Sequence, residues 1–381
     1  MFRVFVVGGL VRDLLLNAEF DAGSPLDIDL AVDGDPSSLH AALATAAGVE
    51  ATIHDRFGTS SARLPDGTRV DVARTRSERY ISPGALPIVS AAPIEVDLSR
   101  RDFTVNAAAL LLTGDSRGAL LDPHNALGDL DRRLIRTLHR DSFRDDPTRL
   151  VRAARYAARI HGEIERRTMS DVRRDRHYLD VLSPERFGDA WRLLLTERET
   201  RLALTFARRL MIPQSREARW VVPKSALKVT SGPEQFWAAI GLLSRDRSIG
   251  DWLPEAVGMR RQERNALAGG VGLKRERRRI AALRQMSLVA RTLERVPDAA
   301  LQAAARLWAG PSGSAVARYL ERREGVRSPI SAARLTELGV PYGPALGDWL
   351  GRIEAAIWDG ELESDDPESV ARMEQQIRWS R

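Results

Sequence analysis

The chain has 381 residues, of which 43% are hydrophobic and 29% are charged, with a net charge of +6 and no cysteine. This length predicts two to four domains or an array of helices, and a chain without cysteine excludes disulfides and cysteine-ligated zinc. No apolar run approaches the roughly 18 residues of a membrane span, and Asp13 interrupts the apolar stretch near the start, so we expect a cytoplasmic protein with no membrane segment.

Apolar segments and turn residues predict an α/β fold for the first 130 residues. The predicted strands are Arg3–Val7, Asp27–Val32, Thr59–Leu64 and Arg69–Arg74, and the predicted helices are Leu10–Asn17 and a segment that Asp35-Pro36 opens and Gly48 ends. Residues 76–99 contain several proline, serine and glycine residues and predict an irregular loop. From about residue 145 onward the pattern is helical, with strand signals nearly absent. The predicted fold class is therefore an α/β head followed by an all-α remainder.

A glycine pair lies between the first predicted strand and the first predicted helix. Gly8-Gly9 lets a ligand approach the backbone closely, and free N–H groups at the start of a helix bind anionic oxygens. Arg12, one turn into the helix, adds a guanidinium that suits phosphate. The pattern indicates a phosphate cradle, with a plain turn as the alternative.

Two carboxylates alternate with apolar residues on the second predicted strand. Asp27 and Asp29 are two residues apart, so their side chains emerge from the same face. Carboxylates side by side repel each other unless a cation binds them, and Mg²⁺ prefers such oxygen ligands together with phosphates. Asp71, on a later strand, would complete a two-metal site. Nucleotidyl transfer is the leading chemistry for this combination, and a capping or loop pair is the alternative.

Charge is distributed unevenly along the chain. Residues 1–36 hold seven acidic side chains and two arginines, whereas residues 131–178 hold fourteen arginines and eight acidic side chains. A basic surface favours a polyanionic partner. We therefore expect a cation site next to a nucleic-acid-binding surface, and a solvated acidic face is the alternative.

The segment Arg100–Ala107 combines basic, acidic, aromatic and amide side chains. Within it, Arg101, Asp102 and Asn106 suit contacts to the sugar and phosphates of a nucleotide. The start of a helix with Thr104 near the cap would explain the same residues.

Asp146 opens a predicted helix that carries arginines at regular spacing. Arg149, Arg152, Arg155 and Arg159 fall within about a third of the helical circumference. A carboxylate accepts from an exocyclic amino group and a guanidinium donates to ring nitrogens or carbonyls, so Asp146 and Arg149 together would select cytosine and adenine. A solvated basic face with an ion pair between Asp146 and Arg149 fits the same pattern.

Five motifs in this order resemble the class II tRNA nucleotidyltransferase/poly(A) polymerase family, which includes the bacterial CCA-adding enzymes. They are Gly8–Asp13 with Asp27-Ile28-Asp29, Arg100–Ala107, Leu121-Asp122-Pro123 with Gly128-Asp129-Leu130, Asp146–Ala153, and Leu182–Arg186. The resemblance covers residues 7–190, and Leu335–Pro344 is similar to the family's tail motif.

The resemblance implies a domain order and roles for these residues. It implies a polymerase-β-like nucleotidyltransferase head at residues 1–130, a helical neck that binds the base and RNA at residues 131–195, and a helical body and tail that bind tRNA at residues 196–381. It implies that Asp27 and Asp29 bind Mg²⁺, that Asp102 recognises the 2′-hydroxyl, and that an aspartate and an arginine of the neck act as a template for the base. The implied nucleotide-binding residues are Gly8, Gly9, Arg12, Arg101, Asp102, Asn106, Asp146, Arg149, Arg152 and Arg155.

The product predicted from this resemblance is the CCA end of tRNA, made from CTP and ATP. CC-only members of the family tend to have a shortened loop before the Arg-Arg-Asp-Phe motif, whereas here 24 residues, Arg76–Ser99, precede Arg100. The alternatives are addition of A only, addition of CC, poly(A) synthesis, and a catalytically silent RNA-binding protein on the same fold. We expect RNA to be recognised by shape at the acceptor end and elbow of tRNA, with salt-sensitive affinity.

Overall fold

The computed structural model describes residues 3–16, 25–46, 49–54, 58–212, 221–229 and 231–379. The chain divides into two compact units, Met1–Val221 and Val222–Arg381. No helix in the described ranges is long and apolar enough to cross a membrane.

The first unit is built around a mixed sheet. Its strands are β1 (Arg3–Val7), β2 (Asp27–Asp33), β3 (Glu50–His54), β4 (Thr59–Arg63), β5 (Arg69–Arg74), β6 (Arg76–Arg79), β7 (Ile88–Ala91), β8 (Ala109–Leu111), β9 (Leu120–Leu121), β10 (Leu134–Ile135) and β11 (Glu163–Ile164). Seven of them form one sheet in the order β3-β4-β5-β2-β1-β8-β9, in which β2 and β5 are parallel and the other neighbours are antiparallel.

Helices cover the sheet and continue beyond it. They are α1 (Gly9–Leu15), α2 (Ser37–Thr45), α3 (Ile94–Ser99), α4 (Ala126–Asp131), α5 (Ser142–Asp145), α6 (Thr148–Arg159), α7 (Arg166–Asp175), α8 (Pro184–Leu195) and α9 (Thr200–Arg209), with 3₁₀ turns at Thr104–Asn106 and Arg176–Val181.

The alternation of apolar residues along β1 fixes which helix covers which face. Phe5 and Val7 pack with Ile94 and Leu98 of α3, all of them buried. Val4 lies on the opposite face, in a second cluster that includes residues of α2. This period-2 pattern holds the sheet between two apolar layers.

The four predicted strands are confirmed to within a residue, but the prediction of an irregular loop over residues 76–99 is wrong. β6 and β7 form an antiparallel hairpin there, and α3 follows it. The sequence pattern did not indicate β6 because this strand is polar. The Glu78 side chain on it is buried in ion pairs with Arg76 and Arg100 and not against apolar residues. The sequence does contain a signal for α3: acidic residues follow Pro93 in the first turn, and two apolar residues lie four positions apart, as on one face of a helix.

Helix ends differ slightly from their predicted positions. The second helix is Ser37–Thr45, and the Asp35 carboxylate accepts a hydrogen bond from the Ser37 backbone N–H at 3.1 Å, the bond by which a side chain caps the start of a helix. The predicted ends of the first two helices, Asn17 and Gly48, lie outside the described residues.

The described part of the second unit is helical. Its helices are α10 (Pro233–Leu243), α11 (Ile249–Ala256), α12 (Arg261–Ala282), α13 (Met286–Leu293), α14 (Asp298–Leu307), α15 (Pro311–Arg322), α16 (Ala332–Glu337), α17 (Pro344–Asp359) and α18 (Pro367–Trp379), with a 3₁₀ turn at Lys224–Lys228. α10 and α12 cross closely, since a Cβ on Gly270 would lie 2.2 Å from the Ala238 carbonyl oxygen. A mixed-sheet head and a helical remainder confirm the predicted fold class, while the boundaries at residues 130 and 195 stay a prediction.

Candidate active site

The turn between β1 and α1 brings a glycine against two charged side chains. Gly8 has a φ of 75° and a ψ of −137°, a backbone conformation that favours glycine. A Cβ at this position would lie 3.1 Å from Asp29 Oδ2 and 3.6 Å from Arg101 Nη1. The glycine therefore allows the main chain to approach both the carboxylate and the guanidinium.

Asp27 and Asp29 lie on one face of β2 and reach solvent. Neither carboxylate makes a hydrogen bond or an ion pair with any described residue. The pKa of Asp29 is raised, because partial desolvation disfavours its charged form and the Asp27 carboxylate repels it. Oxygen donors held close together without a cationic partner fit a divalent cation. Within the described ranges no three acidic or histidine side chains converge on one point.

Asp71 lies on β5 directly opposite Asp29 in the parallel pairing of the two strands. Its Oδ2 is 2.7 Å from Arg69 Nη2, and Oδ1 accepts a hydrogen bond from the Ser61 hydroxyl. Asp71 also contributes to the raised pKa of Asp29. This carboxylate is close to the aspartate pair and already engaged by a cation, and its role as a third catalytic carboxylate stays a prediction.

One buried aspartate binds the two adjacent arginine side chains that begin the Arg100–Ala107 segment. Asp97, on α3, accepts hydrogen bonds from Arg100 Nη2 at 2.8 Å, Arg101 Nη2 at 2.9 Å and the Arg76 backbone N–H at 3.1 Å. Burial opposes ionisation of Asp97, but Arg101 and Arg100 hold its pKa below the usual range. Sequence reasoning missed Asp97, although its position three and four residues before an arginine pair was a signal.

Asp102 lies at the centre of a buried polar cluster. Its Oδ1 accepts from the Phe103 backbone N–H at 2.8 Å and from Asn106 Nδ2 at 3.1 Å, and its Oδ2 is 2.7 Å from Arg152 Nη2. Burial alone would raise the pKa of Asp102, but Arg152 and Arg149 together with these hydrogen bonds lower it. The side chain is therefore an ionised acceptor at neutral pH.

Asp146 and Arg149 both face the cleft but do not pair with each other. Asp146 Oδ1 accepts from Thr148 Oγ1 at 2.7 Å and lies 3.1 Å from Arg186 Nη2. Arg149 is only 5% exposed and donates to Ser142 Oγ at 2.7 Å. The alternative of a solvated face with an Asp146–Arg149 ion pair is therefore wrong.

Arg186 connects Asp146 to the β6–β7 hairpin. Besides its ion pair with Asp146, the guanidinium donates to the Gly84 carbonyl at the hairpin tip. The Gly84 N–H donates to the Arg144 carbonyl at 3.1 Å. The tip of the hairpin is thus hydrogen-bonded to α5 and α8, on either side of Asp146.

These residues line one cleft with a volume of about 470 Å³. The predicted site residues that line it are Gly8, Gly9, Asp29, Asp71, Arg101, Asp102, Asn106, Asp146, Arg149 and Arg152. Asp27 lies next to the cleft on the face of β2 that Asp29 shares. Further polar lining residues were not predicted as site residues: Arg74, Arg76, Glu78, Tyr80, Asp97, Arg100, Tyr156 and Arg186.

Arg12 and Arg155 do not line the cleft. Arg12 is 1% exposed and donates to Asn106 Oδ1 at 3.0 Å, and its Nη2 lies 2.7 Å from Asp13 Oδ1. Arg155 Nε donates to the buried carboxylate of Glu197 at 2.7 Å. Both guanidiniums lie over the Tyr156 ring, 5.3 and 5.4 Å from its centroid. The structure therefore places these two arginines beneath the cleft wall, in contacts that support Asn106 and Tyr156.

Comparison with known proteins adds a second line of information. Residues 4–136 match the family model of the poly A polymerase head domain. The chain is 31% identical to the A-adding tRNA nucleotidyltransferase of Geobacter sulfurreducens over 96% of this chain and 44% of that relative. It is 44% identical to the CC-adding tRNA nucleotidyltransferase of Deinococcus radiodurans over 41% of this chain and 40% of that relative.

A solved structure of a CCA-adding enzyme in an apo form matches the fold with a TM-score of 0.78 and 25% sequence identity. This match covers 100% of the chain and 92% of the solved one. The chain spans less than half the length of these two curated relatives. The fold therefore resembles a solved enzyme end to end, whereas both curated relatives extend well beyond the aligned part.

Proposed function

We propose that this chain adds nucleotides to the 3′ end of tRNA without a nucleic-acid template, because it belongs to the family of tRNA nucleotidyltransferases and poly(A) polymerases. The observation that carries the proposal is the cleft itself. A partnerless carboxylate, a glycine turn and an aspartate–arginine wall of the neck all line it. These are the parts that binding a metal, a triphosphate and a base require.

In this proposal, Asp27 and Asp29 hold Mg²⁺. A bound divalent cation lowers the pKa of an attacking hydroxyl and neutralises charge on the triphosphate. Gly8 and Gly9 leave room for phosphate oxygens beside the backbone, and Arg101 supplies a guanidinium next to Asp29. Asp97 fixes that guanidinium in place, so the charge is already oriented when the nucleotide arrives.

The ribose would be bound at Asp102. Its carboxylate is held ionised by Arg152, 2.7 Å from Oδ2, and by the Asn106 amide at Oδ1, and the buried Oδ2 accepts no hydrogen bond from a described residue. A 2′-hydroxyl donates to such an acceptor, and a deoxyribose offers nothing there. We therefore expect discrimination against deoxynucleoside triphosphates.

The base would be read by Asp146 and Arg149. Asp146 Oδ1 is occupied by Thr148 and Arg186, so its second oxygen is available for an exocyclic amino group. Arg149 is buried and held by Ser142, which gives its remaining N–H donors a fixed direction. Cytosine and adenine both present an amino donor beside a ring-nitrogen acceptor.

The first candidate product is the complete CCA end, made from CTP and ATP. A-only addition is the second candidate, because the Geobacter sulfurreducens relative that aligns with 96% of this chain is an A-adding enzyme. The β6–β7 hairpin and α3 fill the segment that is shortened in CC-only members, which argues against CC addition alone.

The test offers tRNA transcripts that end before CCA, after C and after CC to the purified protein, with Mg²⁺ and labelled CTP or ATP. Completion of all three identifies a CCA-adding enzyme, and one A on the CC-ending transcript alone identifies an A-adding enzyme. Asp27→Asn and Asp29→Asn should abolish incorporation and leave tRNA binding intact. Asp33→Asn, on the same strand but paired with Arg3, is the matched control. No incorporation by the unmodified protein would favour the silent RNA-binding alternative.

A further inference from the structure

Tyr156, on α6, is a buried aromatic residue surrounded by positive charge. Four guanidinium carbons lie over its ring, at 5.3 Å from the centroid for Arg12, 5.7 Å for Arg152, 5.4 Å for Arg155 and 6.0 Å for Arg159. A cation at this distance is attracted by the negative potential of the face of an aromatic ring. The Tyr156 side chain is 9% exposed. The ring therefore keeps four cations near one another in a buried place, a role that an aliphatic side chain cannot take.

The helix itself brings three of these cations to the ring. Arg152 lies four residues before Tyr156 and Arg159 three residues after it, spacings that share one helix face. The buried carboxylate of Glu197 binds Arg155 Nε at 2.7 Å and Arg159 Nη2 at 2.6 Å. Glu197 thus balances two of the four charges and leaves the other two guanidiniums to partners elsewhere.

Two residues that contact the ring also bind Asp102. Arg152 Nη2 lies 2.7 Å from Asp102 Oδ2 and donates to the Tyr156 hydroxyl at 3.3 Å. Arg152 Nε is buried and has no hydrogen-bond partner in the described part of the chain, so the carboxylate and the tyrosine hold this guanidinium. The Phe103 backbone N–H donates to Asp102 Oδ1 at 2.8 Å, and its ring meets Tyr156 edge-on, with centroids 5.9 Å apart and planes at 81°.

Asn106 connects Asp102 to the ring through Arg12. Asn106 Nδ2 donates to Asp102 Oδ1 at 3.1 Å, and Asn106 Oδ1 accepts from Arg12 Nη1 at 3.0 Å. Because Arg12 binds the amide oxygen, the amide N–H₂ group is turned toward the carboxylate. Each hydrogen bond or ion pair that the described residues make to the Asp102 carboxylate therefore leads to Tyr156 through one or two residues.

We infer that Tyr156 is a positioning residue, which fixes the direction of the Asp102 carboxylate and thereby the preference for ribonucleotides over deoxyribonucleotides. The inference rests on the proposed function, in which Asp102 binds the ribose. A hydrogen bond to the 2′-hydroxyl distinguishes the two sugars only while its acceptor is held in one direction. Leucine in place of Tyr156 would fill the space but offer no aromatic face, so the two guanidiniums that support the carboxylate would be free to turn away.

The experiment compares ATP with dATP, each added by the purified protein with Mg²⁺ to a tRNA transcript that ends in CC. The ratio of the two kcat/KM values should fall about tenfold in Tyr156→Leu, the effect of losing two cation–π contacts, and should stay within about threefold in Tyr156→Phe, which keeps the ring. Phe187→Leu is the matched control, because it removes a buried ring that stacks on Trp191 at 5.8 Å, and it should leave the ratio unchanged. A loss of folded protein lowers both rates equally and does not change the ratio.

A double-mutant cycle tests whether Tyr156 acts through Asp102. Asp102→Asn should lower the ratio, and Tyr156→Leu combined with Asp102→Asn should lower it no further. A full additional decrease in the double variant would overturn the inference. An unchanged ratio in Tyr156→Leu would also overturn it, and so would an equal decrease in Phe187→Leu.

Equilibrium affinities for ATP and dATP, measured by calorimetry without tRNA, separate the inference from the proposed function. Tighter binding of ATP than of dATP, together with absence of incorporation by the unmodified protein, would count against the proposed function alone. The ratio of affinities in the same variants then decides the role of Tyr156. Equal affinities and equal incorporation of the two nucleotides would leave no sugar preference to maintain and would overturn the inference.

Discussion

Replacement of Asp97 by asparagine should loosen the arginine wall of the cleft. The Asp97 side chain is 2% exposed, and its two oxygens bind the Arg100 and Arg101 guanidiniums at 2.8 and 2.9 Å. Asparagine has the same shape but no charge, and its amide N–H₂ group would face one guanidinium. Arg101 would then remain partly buried without its counter-ion, whereas Arg100 would keep its ion pair with Glu78.

The expected loss of stability follows from the burial of these groups. Breaking a fully buried ion pair by removing one partner costs about 3–5 kcal/mol, and a hydrogen bond to a charged group contributes about 1.5–3 kcal/mol. The side chains of Arg100 and Arg101 are 21% and 16% exposed, so hydration offsets part of this loss. We expect about 2–4 kcal/mol, which corresponds to about 30- to 1000-fold at 1.4 kcal/mol per factor of ten.

Hydrogen exchange measured by mass spectrometry would report this change locally. Peptides that cover α3 and the following turn should exchange about 30- to 1000-fold faster in Asp97→Asn, in the regime where opening is at equilibrium. Glu95→Gln is the matched control, because it removes the same charge from the same helix at an exposed position. The effect should also depend on pH. The pairing lowers the pKa of Asp97, so its stabilisation is present above the unfolded-state pKa and is lost as the pH falls through the folded-state value. Equal exchange in the two variants would refute the role assigned to Asp97.

Three further changes test other parts of the structure. Gly8→Ala should reduce incorporation at least tenfold, because its Cβ would lie 3.1 Å from Asp29 Oδ2. Gly118→Ala is the control: with a φ of 92° it introduces a similar backbone strain but no close contact, so this variant should retain activity. Gly270→Ala should lower the melting temperature of the second unit, because its Cβ would lie 2.2 Å from a backbone oxygen of α10, whereas Gly272→Ala on the same helix should be neutral or stabilising by up to about 1 kcal/mol. The raised pKa of Asp29 means that this carboxylate takes up a proton at a higher pH than an isolated aspartate, so Mg²⁺ affinity measured by calorimetry should fall as the pH is lowered. If its carboxyl ¹³C titration showed an ordinary pKa, that reasoning would be wrong.

The geometry that the sequence predicted best is local. Asp27 and Asp29 share a face because strand residues alternate, and Gly8 ends a strand because turns need its conformation. Both inferences use residues within a few positions of each other, where backbone geometry alone decides the outcome.

What the sequence could not predict depends on partners far along the chain. Arg12 and Arg155 have the spacing of ligand-binding arginines, but Arg12 is committed to Asn106 and Arg155 to Glu197. These partners are 94 and 42 residues away, and only the additional ion pair of Arg12 with the adjacent Asp13 is visible in the local sequence. The sequence alone does not distinguish an arginine that is buried in the fold from one that is exposed to a ligand.

The central position of β2 has a consequence for how the cleft moves. Its backbone is hydrogen-bonded to β1 on one side and to β5 on the other, so we expect the amides of the strand that bears Asp27 and Asp29 to exchange more slowly than those of the edge strands. The β6–β7 hairpin is a separate two-stranded ribbon outside this sheet. In the proposed function, the aspartates would therefore be a fixed reference point for each added nucleotide, and the hairpin with its attachment at Arg186 is the part of the cleft that could adapt without disturbing them.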